Sequence, residues 1–149
     1  MLLEHFLRRF EAVFRHGSQY QISSGATLEQ IAESEARLRI VFPEPVRRFY
    51  LACNGVQVND PSLRILPIEV LQWSESLIVF CICDGVHRIA FRTCELNRLG
   101  QWSIVDADSN YEITDSMASF WSTHLWQWLR FRRKIWRDYW NDRLDEQLH

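Results

Sequence analysis

The side chains best suited to metal chemistry are three thiols and two carboxylates. Cys81 and Cys83 occupy alternate positions of an apolar run, and Cys94 follows further along the chain. Zinc sites use paired Cys-x-x-Cys spacing, and alternate residues of one strand more often pack than ligate. Asp106 and Asp108 flank a polar turn, but a calcium loop needs more oxygen ligands at fixed intervals and a glycine. The spacing therefore favours buried thiols and a polar hairpin, with no metal site.

Groups for other kinds of catalysis do not converge in the sequence. Asp84 lies near His87 and serines are scattered along the chain, but no Gly-x-Ser-x-Gly motif accompanies them. Neither common type of glycine-rich phosphate loop occurs. We therefore expect no catalytic residues, no cofactor and no enzymatic activity. An uncharacterised enzyme stays open as an alternative, and a ligand-stabilisation screen would test it.

The charges of the chain are unevenly distributed. The 149 residues carry a formal net charge of −2, and residues 25–115 hold 13 acidic and 8 basic side chains. An acidic surface steers association with a basic partner, and aromatic residues near its centre supply most of the binding energy. We expect Trp73 and Tyr111 to be those aromatic residues, although an ordinary solvated face is the alternative. The predicted partner surface consists of Asp60, Trp73, Glu75, Asp106, Asp108, Tyr111 and Glu112.

The C-terminal region interleaves tryptophan and basic side chains, which is also typical of nucleic-acid or membrane contact. Trp121, Leu125 and Trp128 share one helical face with later apolar residues, so core packing is the better interpretation. Trp126 falls off that face and is a candidate contact residue. No run of 18 apolar residues occurs. We expect a soluble cytoplasmic protein with no nucleic-acid or membrane partner.

Helix signals position the first half of the chain. Apolar residues at helical spacing predict an N-terminal helix over residues 2–16 that ends at Gly17, followed by a connector over 18–26. Thr27 and Gln30 form a capping box before a second helix. Its predicted buried stripe includes Glu35, a carboxylate that must have its hydrogen bonds supplied, and we expect amides opening the next helix to supply them. The stripe's other members are Leu28, Ile31, Ala32 and Leu38.

Pro43 and Glu44 open that third helix, because proline suits a first turn and a carboxylate suits its positive end. Its buried stripe is predicted to be Val46, Phe49, Tyr50 and Cys53. Asn54 and Gly55 tolerate the left-handed conformation that closes a helix.

Strand-like segments fill the second half, at 63–71, 77–83, 86–92, 101–105 and 111–114. Asp84-Gly85 predicts a tight antiparallel hairpin between the second and third segments, and 106–110 predicts a polar turn. The continuous apolar run over 77–83 indicates a strand covered on both faces. A final helix of about 30 residues would be about 45 Å long. That length would overhang the domain, so we expect a break near Arg130–Arg133.

The joint between the second and third helices resembles the SUKH superfamily. The superfamily includes the fungal cell-wall assembly regulator, the bacterial Syd protein and many bacterial immunity proteins. Its pattern is a helix with a central Glu, then Leu-Pro, an aromatic residue and a helix ending in Asn-Gly. Glu35, Pro43, Phe49, Asn54 and Gly55 match that pattern, with Phe42 and Val46 as departures from it.

The resemblance covers about residues 24–131 and implies an α+β fold. We expect one domain over residues 1–149, with an antiparallel or mixed sheet of about five to six strands flanked by helices. The resemblance also implies a non-enzymatic protein-binding module, foremost an immunity protein that neutralises a bacterial polymorphic toxin encoded nearby. A regulatory scaffold of the cell-wall regulator type is the alternative. The partner, its chemistry and the oligomeric state are open at this point.

Overall fold

The N-terminal helix is held by its aromatic face. The computed structural model describes residues 3–14 and 19–137, and helix α1 spans Leu3–Val13. Phe6 and Phe10 are fully buried, and the Phe6 ring contacts the rings of Phe49 and Trp121. The aromatic face therefore packs inward, as predicted. The predicted stop at Gly17 lies outside the described residues.

The second helix, α2, spans Leu28–Leu38 and begins at the predicted capping box. The Gln30 amide donates to the Thr27 hydroxyl at 3.1 Å, and the Thr27 amide donates to the Gln30 side chain at 2.9 Å. The predicted buried stripe is wrong in part, because Leu28 is 71% exposed and Ala32 is exposed. The fully buried residues of the helix are Ile31, Ser34 and Leu38.

Helix α3 spans Glu44–Ala52, with Pro43 as its N-cap and Pro45 in its first turn. The predicted buried stripe of this helix is confirmed in full: Val46, Phe49, Tyr50 and Cys53 are all buried. The end of α3 differs from the prediction that Asn54 and Gly55 close the helix in the left-handed conformation. Cys53 caps the helix in an extended conformation, and only Gly55 has a positive φ, of 110°.

Eight antiparallel strands form one sheet within the described residues, in the order β1-β2-β3-β5-β6-β7-β8, with β4 beside β5. The strands are β1 (Tyr20–Ile22), β2 (Val56–Val58), β3 (Leu63–Ile65), β4 (Gln72–Ser74), β5 (Leu77–Cys83), β6 (His87–Arg92), β7 (Ser103–Asp106) and β8 (Glu112–Thr114). The α+β class is confirmed, but the sheet is larger than predicted.

Strands β1 and β2 lie outside the predicted sheet, and the predicted segment 63–71 is divided. It contains β3 and a 3-10 turn, Ile68–Val70, and β4 follows it. A three-residue strand is too short to show an alternating pattern, so pairing with neighbouring strands decides its conformation. The predicted connector over 18–26 thus supplies an edge strand that pairs with β2.

The hairpin between β5 and β6 is confirmed. Asp84 and Gly85 both have positive φ, and the Val86 amide donates to the Cys83 carbonyl at 3.2 Å. The expectation that β5 is covered on both faces is wrong, because Leu77, Val79 and Ile82 are only half-buried. We call the side of the sheet that carries Gln57, Arg64, Ile82, Arg88 and Arg92 the outer face; successive pairings across the strands place these residues together.

The last helical segment runs through α4 (Met117–Ser119), a π-helical turn (Phe120–His124) and α5 (Leu125–Phe131). Arg132 has a φ of 53°, which ends the helix, and the chain turns back so that Ile135 and Trp136 are buried. The predicted break near Arg130–Arg133 is confirmed.

The prediction for Trp126 is wrong. The π-helical turn adds a residue to one turn and rotates the downstream side chains relative to an ideal α-helix. Trp126 is consequently buried, with its ring against Phe6 and Phe10 and beneath the Arg9 guanidinium.

Candidate protein-binding surface

Glu35, the carboxylate at the centre of α2, lies at the joint between α2 and α3. Its Oε2 accepts a hydrogen bond from the Phe42 amide at 2.7 Å, and its Oε1 lies 3.7 Å from the Arg47 guanidinium. The donor is thus the residue before Pro43, whereas we expected the amides of the following helix. This geometry fixes the crossing of the two helices.

Asn54 connects the end of α3 to the 3-10 turn. Its Oδ1 accepts from the Ile68 amide at 2.8 Å, and its Nδ2 donates to the Glu69 carboxylate at 2.7 Å. Gly55 is required beside it, because a Cβ there would lie 2.9 Å from the Ile65 carbonyl oxygen and the φ is positive. With Phe49 fully buried, the residues that match the family pattern are mostly internal.

Arginines of β6 organise the outer face. The Arg88 guanidinium donates to the Ser74 hydroxyl at 3.1 Å and to Asp108 Oδ1 at 2.7 Å. Four residues further along the same strand, the Arg92 guanidinium lies 3.6 Å from Glu112 Oε1 and donates to the Asn110 carbonyl. These contacts bring β4, β6 and the β7–β8 hairpin together at one surface.

Asp106 is not a surface residue, which corrects its predicted place in the partner surface. It is 4% exposed. Its Oδ1 accepts from the amides of Asp108 and Ser109, at 2.9 and 3.3 Å, and its Oδ2 accepts from the Arg137 amide at 3.1 Å. The carboxylate therefore closes the β7–β8 turn and attaches the C-terminal segment to it.

The other predicted contact residues do not form one surface. Trp73 lies on the opposite side of the sheet from Ser74, since successive side chains of a strand alternate. Its indole donates to the Leu38 carbonyl at 3.1 Å, and the residue is 43% exposed. Asp60 lies at the β2–β3 turn beside Arg132. Glu75 is exposed in the β4–β5 turn, with a φ of 57°.

Asp108, Tyr111 and Glu112 are the predicted contacts that the structure does bring together, at the β7–β8 hairpin. The Arg137 guanidinium lies over the Tyr111 ring at 5.2 Å. Asp108 and Glu112 are each paired with an arginine, as is Asp60 at 2.7 Å from Arg132. The predicted acidic field is therefore largely neutralised by arginines, and the surface is one of paired charges.

Sequence reasoning missed the arginines of the outer face. Arg88 and Arg92 lie four residues apart in a strand, so they point to the same side, and that spacing was an available signal. The spacing does not show which carboxylates contact these arginines. Asp108 lies 20 residues from Arg88 and reaches it only through the pairing of the strands.

No catalytic constellation emerges in the part of the chain that the structure describes. The His87 ring stacks on the Trp136 ring, with ring centroids 4.2 Å apart, and therefore contributes to packing. Within residues 3–14 and 19–137, no three His, Cys, Asp or Glu side chains are arranged to hold a metal ion.

The thiols are mostly internal. Cys53, Cys81 and Cys83 are buried, as predicted, whereas the expectation that Cys94 is also buried is wrong, because its side chain is exposed. Burial raises the pKa of the Cys53 thiol to about 12. It also raises the pKa of Cys81 well above the ordinary range, with the neighbouring Cys83 adding to the shift. Such thiols stay protonated and unreactive at neutral pH. None of the described helices has both the length and the apolar character needed to cross a bilayer.

The fold and surface define an α+β protein whose described residues present a polar, arginine-rich sheet face. The SMI1 / KNR4 family (SUKH-1) model matches residues 25–123, and the chain belongs to that family. No curated protein matches it. Membership supports an immunity or cell-wall-regulator type of module, in a family that is generally non-enzymatic and often binds protein toxins.

Proposed function

We propose that this chain is a cytoplasmic immunity protein that binds a bacterial toxin domain encoded nearby and blocks its active face. Membership of the SMI1 / KNR4 family over residues 25–123 is the observation that carries the proposal. The outer face of the sheet supports the proposal as well, because a protein that blocks an active face needs a surface of complementary shape and no reactive group.

The outer face is the proposed contact surface. Arg88 and Arg92 are anchored by two carboxylates of the β7–β8 hairpin, so part of the entropy of fixing a long side chain is already lost before binding. Arginine presents several donors in a planar fork and is enriched at binding hot spots. Asp108, Tyr111 and Glu112 complete this surface. Asp106 is excluded from it by burial.

Trp73 and Glu75 lie at the β4 edge of the sheet, with Trp73 on the side opposite to the outer face, and we propose them only as peripheral contacts. Ser74 connects them to the outer face through Arg88. The exposed edge of the Trp73 indole can meet a partner, while its N–H is already bonded to Leu38. Asp60, at the distant β2–β3 turn, is not required by this arrangement.

Co-expression with the toxin encoded beside this chain tests the proposal. The unsubstituted chain should restore growth and should bind the purified toxin domain. Arg88→Glu with Arg92→Glu should weaken that binding by about tenfold or more, since the guanidinium donors are lost and the new carboxylates repel Asp108 and Glu112 of the same surface. Arg48→Glu is a single-reversal control at a site away from the outer face, because Arg48 is exposed on α3 and pairs only with Glu44 among the described residues.

Two results would count against the immunity function. The first is an absence of binding between the pure proteins at micromolar concentration. The second is the absence of any neighbouring toxin, which would favour the regulatory scaffold. Equal loss of binding in the Arg48→Glu control would instead reject the outer face as the contact surface and leave the immunity function standing.

A further inference from the structure

The end of α5 forms an exposed corner of basic and aromatic side chains. The Arg132 amide donates to the Trp128 carbonyl and the Arg133 amide to the Gln127 carbonyl, both at 2.9 Å, which turns the chain sharply. Phe131, at this turn, is 53% exposed. We call Arg130, Phe131 and Arg133 the basic corner.

Two guanidinium groups flank the Phe131 ring. The Arg130 guanidinium carbon lies 5.4 Å from the ring centroid, and that of Arg133 lies 5.3 Å from it. A cation at this distance is attracted by the electrons of the ring. The ring thus orients both arginines at the surface although the protein core does not cover it.

Contacts beneath the corner hold it in place. The Trp128 indole donates to the Ser62 carbonyl at 2.9 Å, and Arg132 pairs with Asp60 at 2.7 Å. Ile135 and Trp136 are buried directly after the turn. A surface fixed in this way loses little conformational entropy when a partner binds.

Asp60 lies beside the corner, where it pairs with Arg132 and lines a groove together with Arg130. Among the described residues, no carboxylate lies within ion-pair distance of Arg130 or Arg133, in contrast to the paired arginines of the outer face. A groove of about 460 Å³ adjoins Arg133 and contains no acidic side chain in its lining. That lining consists of Tyr111, Ile113, His124, Gln127, Arg133, Lys134, Ile135, Trp136 and Arg137.

We infer that the basic corner and this groove bind a short acidic segment of a partner protein. Carboxylates of the segment would pair with Arg130 and Arg133, and an apolar group would cover the exposed Phe131 ring. Charge complementarity favours this occupant, and an aromatic residue beside arginines is typical of an interface hot spot. The groove shares Tyr111 with the proposed toxin-contact surface, but Arg130, Phe131 and Arg133 lie outside that surface, so substitutions at the basic corner test this inference separately.

The charge of the whole chain favours a short segment over a long polyanion. The formal net charge is −2 and the isoelectric point is about 6.2. A nucleic acid follows a basic stripe across many phosphates, and beside this corner it would meet the exposed carboxylate of Asp60. A membrane surface would need a broader apolar face than one phenylalanine ring.

A fluorescein-labelled, glutamate-rich decapeptide containing one leucine is the probe, and fluorescence anisotropy with the full chain is the measurement. We expect saturable binding that weakens as salt rises. Arg130→Glu with Arg133→Glu should reduce the affinity by about tenfold or more. Phe131→Ala should reduce it by a smaller factor, since the ring also orients the arginines.

The matched control is Arg48→Glu with Arg98→Glu, which makes the same change of net charge on exposed arginines elsewhere. It should change the affinity by no more than about twofold. Circular dichroism and thermal melting establish that each variant is folded. If the double reversal does not fold, Arg130→Gln with Arg133→Gln replaces it and should still weaken binding.

Three outcomes would overturn the inference. One is no binding of the peptide up to about 100 µM, a concentration that still detects weak complexes. Another is equal loss of affinity in the control pair. The third is tighter binding of a single-stranded RNA of equal charge, or of phosphatidylserine vesicles, which would assign the corner to nucleic acid or to a membrane.

Discussion

The Glu35 carboxylate accepts the Phe42 amide at 2.7 Å, and this one hydrogen bond joins the middle of α2 to the segment that precedes α3. Glu35 is half-buried, and Arg47 from α3 lies near its second oxygen. The contact therefore gives the half-buried carboxylate of α2 a hydrogen-bond donor at the point where α2 meets α3.

Glu35→Ala should lower the free energy of unfolding by about 1 to 3 kcal/mol, because the Phe42 amide would lose its partner in a partly buried place. Guanidinium unfolding measured by tryptophan fluorescence gives the value. Glu35→Gln should cost less, since it keeps an acceptor oxygen. Glu33→Ala, at an exposed position of the same helix, is the control, and an equal cost for Glu33 and Glu35 would contradict the interpretation.

Asn54→Ala should also destabilise the fold by about 1 to 3 kcal/mol, because the buried Ile68 amide would be left without its acceptor. The substitution removes the bond to Glu69 as well. Urea unfolding is the measurement. The comparison is Glu69→Gln, which leaves the Asn54–Ile68 bond intact and should cost less. A larger loss for Glu69→Gln would place the main effect in the side-chain pair.

Asp106→Ala should destabilise the protein more than Asp108→Ala does, although both residues belong to one turn. Asp106→Ala leaves three amides without an acceptor and should cost about 1 to 3 kcal/mol of stability. Asp108→Ala removes an exposed ion pair with Arg88 and should cost less than about 1 kcal/mol. Thermal unfolding of both variants tests this contrast, and a larger loss at Asp108 would refute it.

Thiol labelling should separate Cys94 from the other cysteines. With Ellman's reagent at pH 8, Cys94 should react in the folded protein, whereas Cys53, Cys81 and Cys83 should react only after unfolding. Cys94→Ser should abolish the reaction of the folded protein. Rapid reaction of a second thiol under native conditions would show that the core opens on the timescale of labelling.

Stability should fall at alkaline pH for a related reason. Burial raises the pKa of Cys53 from 9.0 to about 12, so between these values the unfolded chain releases the proton that the folded chain retains. The stability that the buried, protonated Cys53 thiol contributes is fully present below pH about 9 and is lost as pH rises towards about 12. Burial also raises the pKa of Tyr50, so this residue adds to the same loss of stability at alkaline pH. Unfolding at pH 8 and pH 10 should show the fall, and Cys53→Ala should reduce it.

Local rules predicted the helical joint well. The capping box at Thr27, the start of α3 after Pro43 and the buried stripe of α3 each depend on residues within a few positions of one another. Hydrogen bonds and sterics over that range are encoded in the sequence itself. The break after α5 was predictable too, because an uninterrupted helix would be longer than the body it packs against.

Short strands and individual contacts were not predictable in this way. Strands β1 and β2 form because they pair with each other and with β3, and three residues carry no periodic signal. The π-helical turn moved Trp126 from an expected surface position into the core.

Patterns within the sequence were sufficient to predict the family, the α+β class and the place of Glu35 at the helical joint. Tertiary structure decided which carboxylates are accessible: Asp106 turns inward to bind amides, whereas Asp108 turns outward to meet Arg88. Both are aspartates of one polar turn, so composition and spacing do not distinguish them. Their difference comes from hydrogen bonds to Arg137 and Arg88, residues that are distant in the chain and that only the folded sheet brings near.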